Sequence, residues 1–193
     1  MAYLGVDCSS PHLALALYRG RTLSSSSENV GRDHARRLPE ALNALFARAG
    51  LSPGDLCGVG VGVGPGSYTG LRVGVAAAKG IARSLDIPLR GESTLAAMAA
   101  GVLTVHDPYA VVALDARRGN VYAGVFQLQA GEIVQRGGVK KLERTAAQAL
   151  GLPMGSLPGS PLRLPYFEAV PPDASFLARR AEGGTNTFAP LYL

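Results

Sequence analysis

The stretch CGVGVGVGPGSYTGLRVGVAAAKGIARSL, residues 57–85, changes its period midway, and that change decides the fold. Residues 57–63 alternate glycine with valine, the two-residue period of a strand. Gly64, Pro65, Gly66, Ser67, Tyr68, Thr69 and Gly70 then make a glycine-rich turn. From Leu71 to Leu85 the apolar residues recur at helical spacing. Strand, tight turn and helix in one run are half of a parallel crossover, so this part of the chain is α/β. Such a turn exposes backbone N–H groups at a helix N-terminus and can hold an anion. It meets neither specific phosphate-loop pattern, since Lys79-Gly80 has the wrong order and place for a Walker loop and no G-x-G-x-x-G occurs. The plainer reading is a close-packed β–α joint.

The helix over 71–85 carries a second signal. At 100° per residue, Arg72, Lys79 and Arg83 share an arc of roughly 40°. Apart from Ser84, the other positions are Leu, Val, Ile, Ala or Gly and cover about 260° of the circumference. A helix lying on a sheet needs a stripe of about 100° or somewhat more. Gly74, Ala76, Ala77 and Gly80 allow a second surface to come close. Either the helix over 35–49 covers the excess or a partner protein does.

Upstream, residues 3–7, 12–18 and 21–27 read as three strands joined by tight turns, hence an antiparallel meander. Ser24 to Ser27 is a solvated edge. Asp33 offers an N-cap for a helix to about Ala49, with Leu38, Ala41, Leu42, Leu45 and Phe46 at three- and four-residue spacing. Gly50 stops it, and Pro39 is expected to bend it. A short strand over 87–90 and a helix from Ser93 or Thr94 to about Leu103 complete a β-β-β-α-β-α-β-α order. The opening pattern then returns: 111–115 ends in Asp115 as 3–7 ends in Asp7, strands over 121–128 and 132–142 follow, and a helix runs from 143 to 151. Residues 152–172 are rich in Pro and Gly and are expected to be irregular, before a helix over 173–181 and an extended end at 189–193. The expected division is a first lobe over 1–105 and a shortened second lobe over 106–193.

The 193 residues include 25 Gly and 13 Pro, about a fifth of the chain and below the share that marks disorder. No apolar run reaches the roughly 18 residues of a membrane span, and the N-terminus lacks the basic and apolar regions of a secretory signal. A cytoplasmic protein with no membrane role is the expectation. The net charge of +5 is modest, and the doublets Arg36-Arg37, Arg117-Arg118, Lys140-Lys141 and Arg179-Arg180 are scattered without interleaved aromatics. That pattern argues against nucleic-acid binding by the chain alone.

Catalytic constellations are scarce. His12, His34 and His106 make no helical metal pair. Cys8 is a nucleophile only with a base beside it, and otherwise a buried strand-end thiol; neither it nor Cys57 fits a disulfide framework or zinc site. Asp7 and Asp115, with Ser9 and Ser10, either face each other across a cleft and bind a magnesium nucleotide or cap turns.

At these residues the chain resembles the TsaB (YeaZ) family. Gly64-Pro-Gly-Ser-Tyr-Thr-Gly-Leu-Arg-Val-Gly74, with Ala78-Lys79-Gly80, matches its signature; Asp7-Cys8-Ser9 matches its opening Asp-Thr-Ser. His34-Ala-Arg-Arg-Leu-Pro39 matches less well, and Asp115-Ala-Arg-Arg-Gly-Asn-Val-Tyr122 matches the second-half motif. The likeness is strong to about Leu128 and faint afterwards, apart from the closing Pro190 to Leu193. The resemblance implies the actin/sugar-kinase/Hsp70-like fold with two RNase H-like lobes. It further implies a non-catalytic partner of the paralogous transferase TsaD, working also with the ATPase TsaE, in forming threonylcarbamoyladenosine at position 37 of tRNAs that read codons beginning with A. It implies no cofactor or metal of its own, tRNA contact only through the complex, and a homodimer when TsaD is absent. The expected partner face is Leu71, Arg72, Val73, Gly74, Ala76, Ala77, Gly80 and Ile81 with Leu38 and Leu42. Cys8 in place of the usual Thr, and the shortened tail, tell against a nucleotide between Asp7 and Asp115. The competing expectation is a small kinase or nucleotide hydrolase of the same superfold; a peptidase has neither metal pair nor triad here.

Overall fold

The computed structural model describes residues 1–150, 166–168 and 170–182. Strands β1 (Ala2–Asp7), β2 (His12–Tyr18) and β3 (Thr22–Asn29) form the meander, followed by helix α1 (His34–Ala49), strand β4 (Leu56–Gly62), helix α2 (Tyr68–Leu85), strand β5 (Leu89–Glu92) and helix α3 (Thr94–Ala100). Then come β6 (Tyr109–Asp115), β7 (Asn120–Gln129), β8 (Glu132–Glu143), α4 (Arg144–Leu150), β9 (Tyr166–Glu168) and α5 (Ala174–Ala181). One sheet has the order β3-β2-β1-β4-β5 and the other β8-β7-β6-β9. In each, an antiparallel meander is extended by a parallel strand, β1 with β4 and β6 with β9. The second sheet thus repeats the first four positions of the first, and the architecture is the two-lobed α/β fold that the resemblance implies.

The lobes exchange their helices. α3, which follows the first sheet in sequence, packs on β6, β7 and β8, burying Leu95, Met98 and Ala99 with Val112 and Phe126. α5, which follows β9, packs on β1, β2 and β4. A cut near residue 105 therefore leaves each sheet without a helix that covers it.

The first sheet explains its glycines. Its three central strands alternate large with small: Leu4 and Val6 about Gly5, Leu13, Leu15 and Leu17 about Ala14 and Ala16, Val59 and Val61 about Gly60. The large residues face α1 and α2 in the main core. The small ones leave a shallow slot in which α5 lies with its backbone against the sheet. A Cβ at Gly60 would collide with the carbonyl of Leu177, and one at Gly5 with the carbonyl of Ala174. The Gly-Val alternation of residues 57–63 is thus a helix seat.

Several local expectations change. α2 starts at Tyr68, inside the stretch read as turn, because Ser67 caps it by accepting the Gly70 N–H at 3.3 Å. α1 runs through Pro39 unbroken, and Asp33 spends its carboxylate on Arg36 at 2.9 Å and makes no side-chain cap. α3 stops at Ala100, short of Leu103. β9 lies inside the segment expected to be irregular, since pairing with β6 supplies the hydrogen bonds that its own composition does not advertise. The extended end expected at 189–193 lies outside the described residues.

Candidate functional site

Between the lobes lies a cleft of about 590 Å³. The first lobe contributes Ser9, Ser10, Arg32, His34 and the α2 N-terminus at Ser67, Thr69 and Gly70; the second contributes Leu114, Asp115 and Arg117. Ser9, Ser10 and Asp115 do meet across it, as the duplicated strands imply. Asp7 does not line it.

Asp7 is fully buried at the end of β1. One carboxylate oxygen accepts the Ser9 N–H at 2.7 Å and the Ser9 hydroxyl at 2.6 Å; the other accepts the Thr94 hydroxyl at 2.9 Å. Gly62 is obligatory beside it, because a Cβ there would occupy the place of the carboxylate. Burial raises the Asp7 pKa above the usual carboxylate range, while the bonds from Ser9 and Thr94 pull it back. The group ties the β1 turn to the first residue of α3, and so one lobe to the helix that covers the other. Asp7 thus caps its own turn, as one of the two sequence readings has it.

Asp115 is exposed and equally engaged. It accepts the Arg117 N–H at 3.3 Å and pairs with Arg144 at 3.2 Å. The β6–β7 turn that it caps holds Arg117, Arg118 and Gly119 in the left-handed region, at φ of 65°, 54° and 78°. Cys8 is buried against Gly74 of α2, and burial with the nearby Asp7 pushes its thiol pKa far up, so it is a packing residue. His34 is buried with its Nε2 3.4 Å from the His12 carbonyl oxygen. Among the described residues, no three His, Cys, Asp or Glu side chains converge as a metal site.

The glycine-rich turn is a close-packed joint. Gly64 and Pro65 are buried, the Ser67 N–H donates to the Ser9 carbonyl at 2.6 Å, and a Cβ at Gly70 would strike the Cys8 carbonyl. Tyr68 and Thr69 stay exposed, with the Arg72 guanidinium 4.0 Å from the Tyr68 ring centre.

The apolar circumference of α2 divides. Leu71, Gly74, Ala78 and Ala82 are buried, while Val73, Val75, Ala77 and Ile81 are half-buried against the main core, which α1 helps to close. Of the residues expected on a partner face, Leu71, Gly74 and Leu38 point inward and are closed to any partner. Arg72, Ala76 and Gly80 are exposed, beside half-buried Val73, Ala77, Ile81 and Leu42. The covering by α1 that the sequence left open accounts for part of the excess, since α1 and α2 close the same core.

Other residues that shape the site carried a weaker signal. Thr94, which holds Asp7, is ordinary in sequence. Arg180 of α5 bridges Glu92 of β5 at 3.1 Å and Glu132 of β8 at 3.0 Å, while Arg90 also holds Glu92 at 2.7 Å. This ionic tie between lobes joins residues far apart in the chain. The seat of α5 was legible in principle, as the large–small alternation LALAL and VGVGV.

Comparison with known proteins places this geometry. A family model described as TsaD, tRNA N6-adenosine threonylcarbamoyltransferase, matches residues 24–175. The chain is 38% identical over 136 residues to the tRNA threonylcarbamoyladenosine biosynthesis protein TsaB of Bacillus subtilis, covering 70% of this chain and 59% of that protein. It is 33% identical over 128 residues to TsaB of Escherichia coli, covering 66% and 55%. The matched part thus spans little more than half the length of these relatives. Among solved structures, an uncharacterised protein with similarity to peptidase YeaZ from Pseudomonas aeruginosa superposes with a TM-score of 0.82 at 26% identity, covering 100% of this chain and 99% of that one. YeaZ from the same organism gives 0.79 at 26% identity with the same coverage.

Proposed function

Since this chain belongs to the TsaB (YeaZ) family, we propose that it takes part in forming threonylcarbamoyladenosine in tRNA, as a non-catalytic partner of a TsaD-type transferase. The modified base in this reading is at position 37 of tRNAs that read codons beginning with A, and TsaE is the third member of the machinery.

The observation that carries the non-catalytic part is the fate of Asp7. The aspartate best placed by sequence to hold a magnesium nucleotide is buried, accepts three hydrogen bonds and braces the lobes. Asp115, its counterpart, is bound to Arg144. What the first lobe offers instead is a surface: the exposed Arg72, Ala76 and Gly80 of α2, flanked by Val73, Ala77, Ile81 and Leu42. Small residues at 76 and 80 let a partner helix approach the backbone, and Tyr68 stacked under Arg72 is the aromatic–arginine pairing that anchors interfaces. The same face serves a homodimer when the transferase is absent.

The test is co-purification with the TsaD-type protein and measurement of modified adenosine in the reconstituted mixture. Ala76→Glu and Gly80→Glu are the informative changes, because both sites are exposed, whereas Ala77 is half-buried and a charge there also strains the core. The expected result is loss of association and of modification with no loss of thermal stability. Modified adenosine made by this chain alone, or full association of both variants, refutes the proposal.

A further inference from the structure

Among the described residues, the second-lobe rim of the cleft carries arginines that no acid pairs with. Asp115, the acid that lines the cleft itself, is spent twice, on the Arg117 N–H and on the Arg144 guanidinium. Among the described residues, Arg117, Arg118 and Arg32 take part in no ion pair, and all three are exposed. Arg32 and Arg117 line the cleft from opposite lobes. Arg118 lines an adjoining concavity of about 450 Å³ with Asn120, Arg144, Thr145 and one acid, Glu143, with which it makes no ion pair among the described residues.

The turn that presents these groups is rigid. The Ala116 N–H donates to the Asn120 carbonyl at 2.9 Å, the Asn120 N–H to the Arg117 carbonyl at 3.1 Å, and the Arg144 N–H to the Gly119 carbonyl at 3.0 Å. The Asn120 side-chain amide donates to the Arg118 carbonyl at 3.1 Å. Two successive arginines therefore sit at positive φ, a conformation that costs a non-glycine residue about 1 kcal/mol or more, where glycine or asparagine would be easier. The result is two guanidiniums on either side of one turn, each at a concavity, with side-chain reach as their only freedom. Guanidinium forks suit phosphate oxygens, and with Asp7 withdrawn and Asp115 paired, the cleft favours an anion without an accompanying magnesium ion.

We infer that Arg117 and Arg118, with Arg32 across the cleft, bind the phosphodiester backbone of RNA, and that this rim holds the tRNA substrate against the assembled complex. The choice of RNA as the polyanion rests on the tRNA-modification reading above; the charge arrangement does not. Contacts of this kind fix register and orientation without reading sequence. The scattered cations of the sequence become a binding edge only through the turn that places two of them together and the lobe closure that brings Arg32 opposite.

The experiment uses the full chain together with the TsaD-type protein and a fluorescein-labelled tRNA transcript, followed by anisotropy over a salt series. Arg117→Gly with Arg118→Asn removes both charges and suits the left-handed turn, so the fold is preserved; Arg32→Gln is added as a third change. Removing the two rim contacts is expected to weaken binding roughly ten- to fifty-fold near 0.1 M salt and to flatten the log–log salt slope by about 1.5 to 2. Inorganic pyrophosphate is the second probe. Unchanged affinity and slope in the variants overturn the inference, as does loss of pyrophosphate binding with tRNA binding intact, which assigns the rim to a small anion. Modified adenosine is measured on the wild-type mixture separately: its absence counts against the functional reading, while the anisotropy alone decides the rim.

Discussion

Adding one methyl group at Gly60 tests the seat of α5 directly. The strand β4 presents Gly60 to the backbone of α5, and a Cβ there would overlap the Leu177 carbonyl, which belongs to a helix backbone and cannot rotate away as a side chain can. Restoring an ordinary van der Waals contact requires α5 to withdraw by on the order of 1 Å. That movement loosens Leu177, fully buried, and Phe176, 4% exposed, from Ala97 of α3. Overpacking costs about 1–3 kcal/mol, and a backbone obstacle puts this case at the upper end. The lower entropy of the unfolded alanine chain returns about 0.4–1 kcal/mol. Gly60→Ala is thus expected to destabilise by about 2 kcal/mol, a fall in Tm of roughly 4–8 °C for a chain of this length. Gly80→Ala is the matched control, since nothing lies within 4 Å of a Cβ there and the site is an exposed helix interior. It is expected to stabilise by about 0.5–1 kcal/mol. Urea unfolding followed by far-UV circular dichroism reads both. A Gly60→Ala midpoint within error of wild type, or both substitutions moving the same way, refutes the close-approach argument.

Asp7→Asn is expected to cost less than about 1 kcal/mol at neutral pH, since an amide can keep the Ser9 bonds and donate to Thr94, whereas Asp7→Ala, which strands these buried groups, costs about 2–4 kcal/mol. Because burial raises the Asp7 pKa, the folded state takes up the proton more readily than the unfolded one. The ionisation penalty is therefore full above the raised pKa and is relieved as pH falls through it toward 3.8. Wild type should accordingly gain stability relative to Asp7→Asn on acidification over that window, and parallel pH profiles of the two melts would contradict this. Arg180→Met should lower stability by about 1 kcal/mol through the half-exposed tie to Glu92 and Glu132, and the difference should shrink in 1 M salt, as equilibrium unfolding at two ionic strengths will show. Thiol titration of the native chain should find Cys57 reactive and Cys8 protected, with both reacting in denaturant; rapid labelling of Cys8 in the native state would overturn its assignment as a packing residue.

The order of elements through Asp115 was readable because each carries its own local signature: a two-residue period in β1, β2 and β4, a helical period in α1 and α2, and Gly or Asp at the boundaries. The repeat of the meander after residue 108 was readable for the same reason. Asp7 and Asp115 were singled out by their matching places at two strand ends, but their roles were not settled, because a carboxylate at a strand end can face a ligand or a backbone. Thr94 and Arg144 are the long-range partners that the structure gives these carboxylates, and they lie 87 and 29 residues away. β9 was missed because three residues have no period, and pairing with β6 supplies the reason for the strand.

What the chain by itself determined is therefore local: which segments are strands and helices, that the pattern occurs twice, and which motifs carry the family likeness. Tertiary structure alone decided that α3 and α5 cross to each other's sheets, that alternate glycines seat a helix, that much of the α2 surface is covered at home, and that Arg32 faces Arg117. The physical reason is range. Period and capping act over one or two turns of backbone, whereas burial and charge pairing depend on whatever distant segment arrives on the open face.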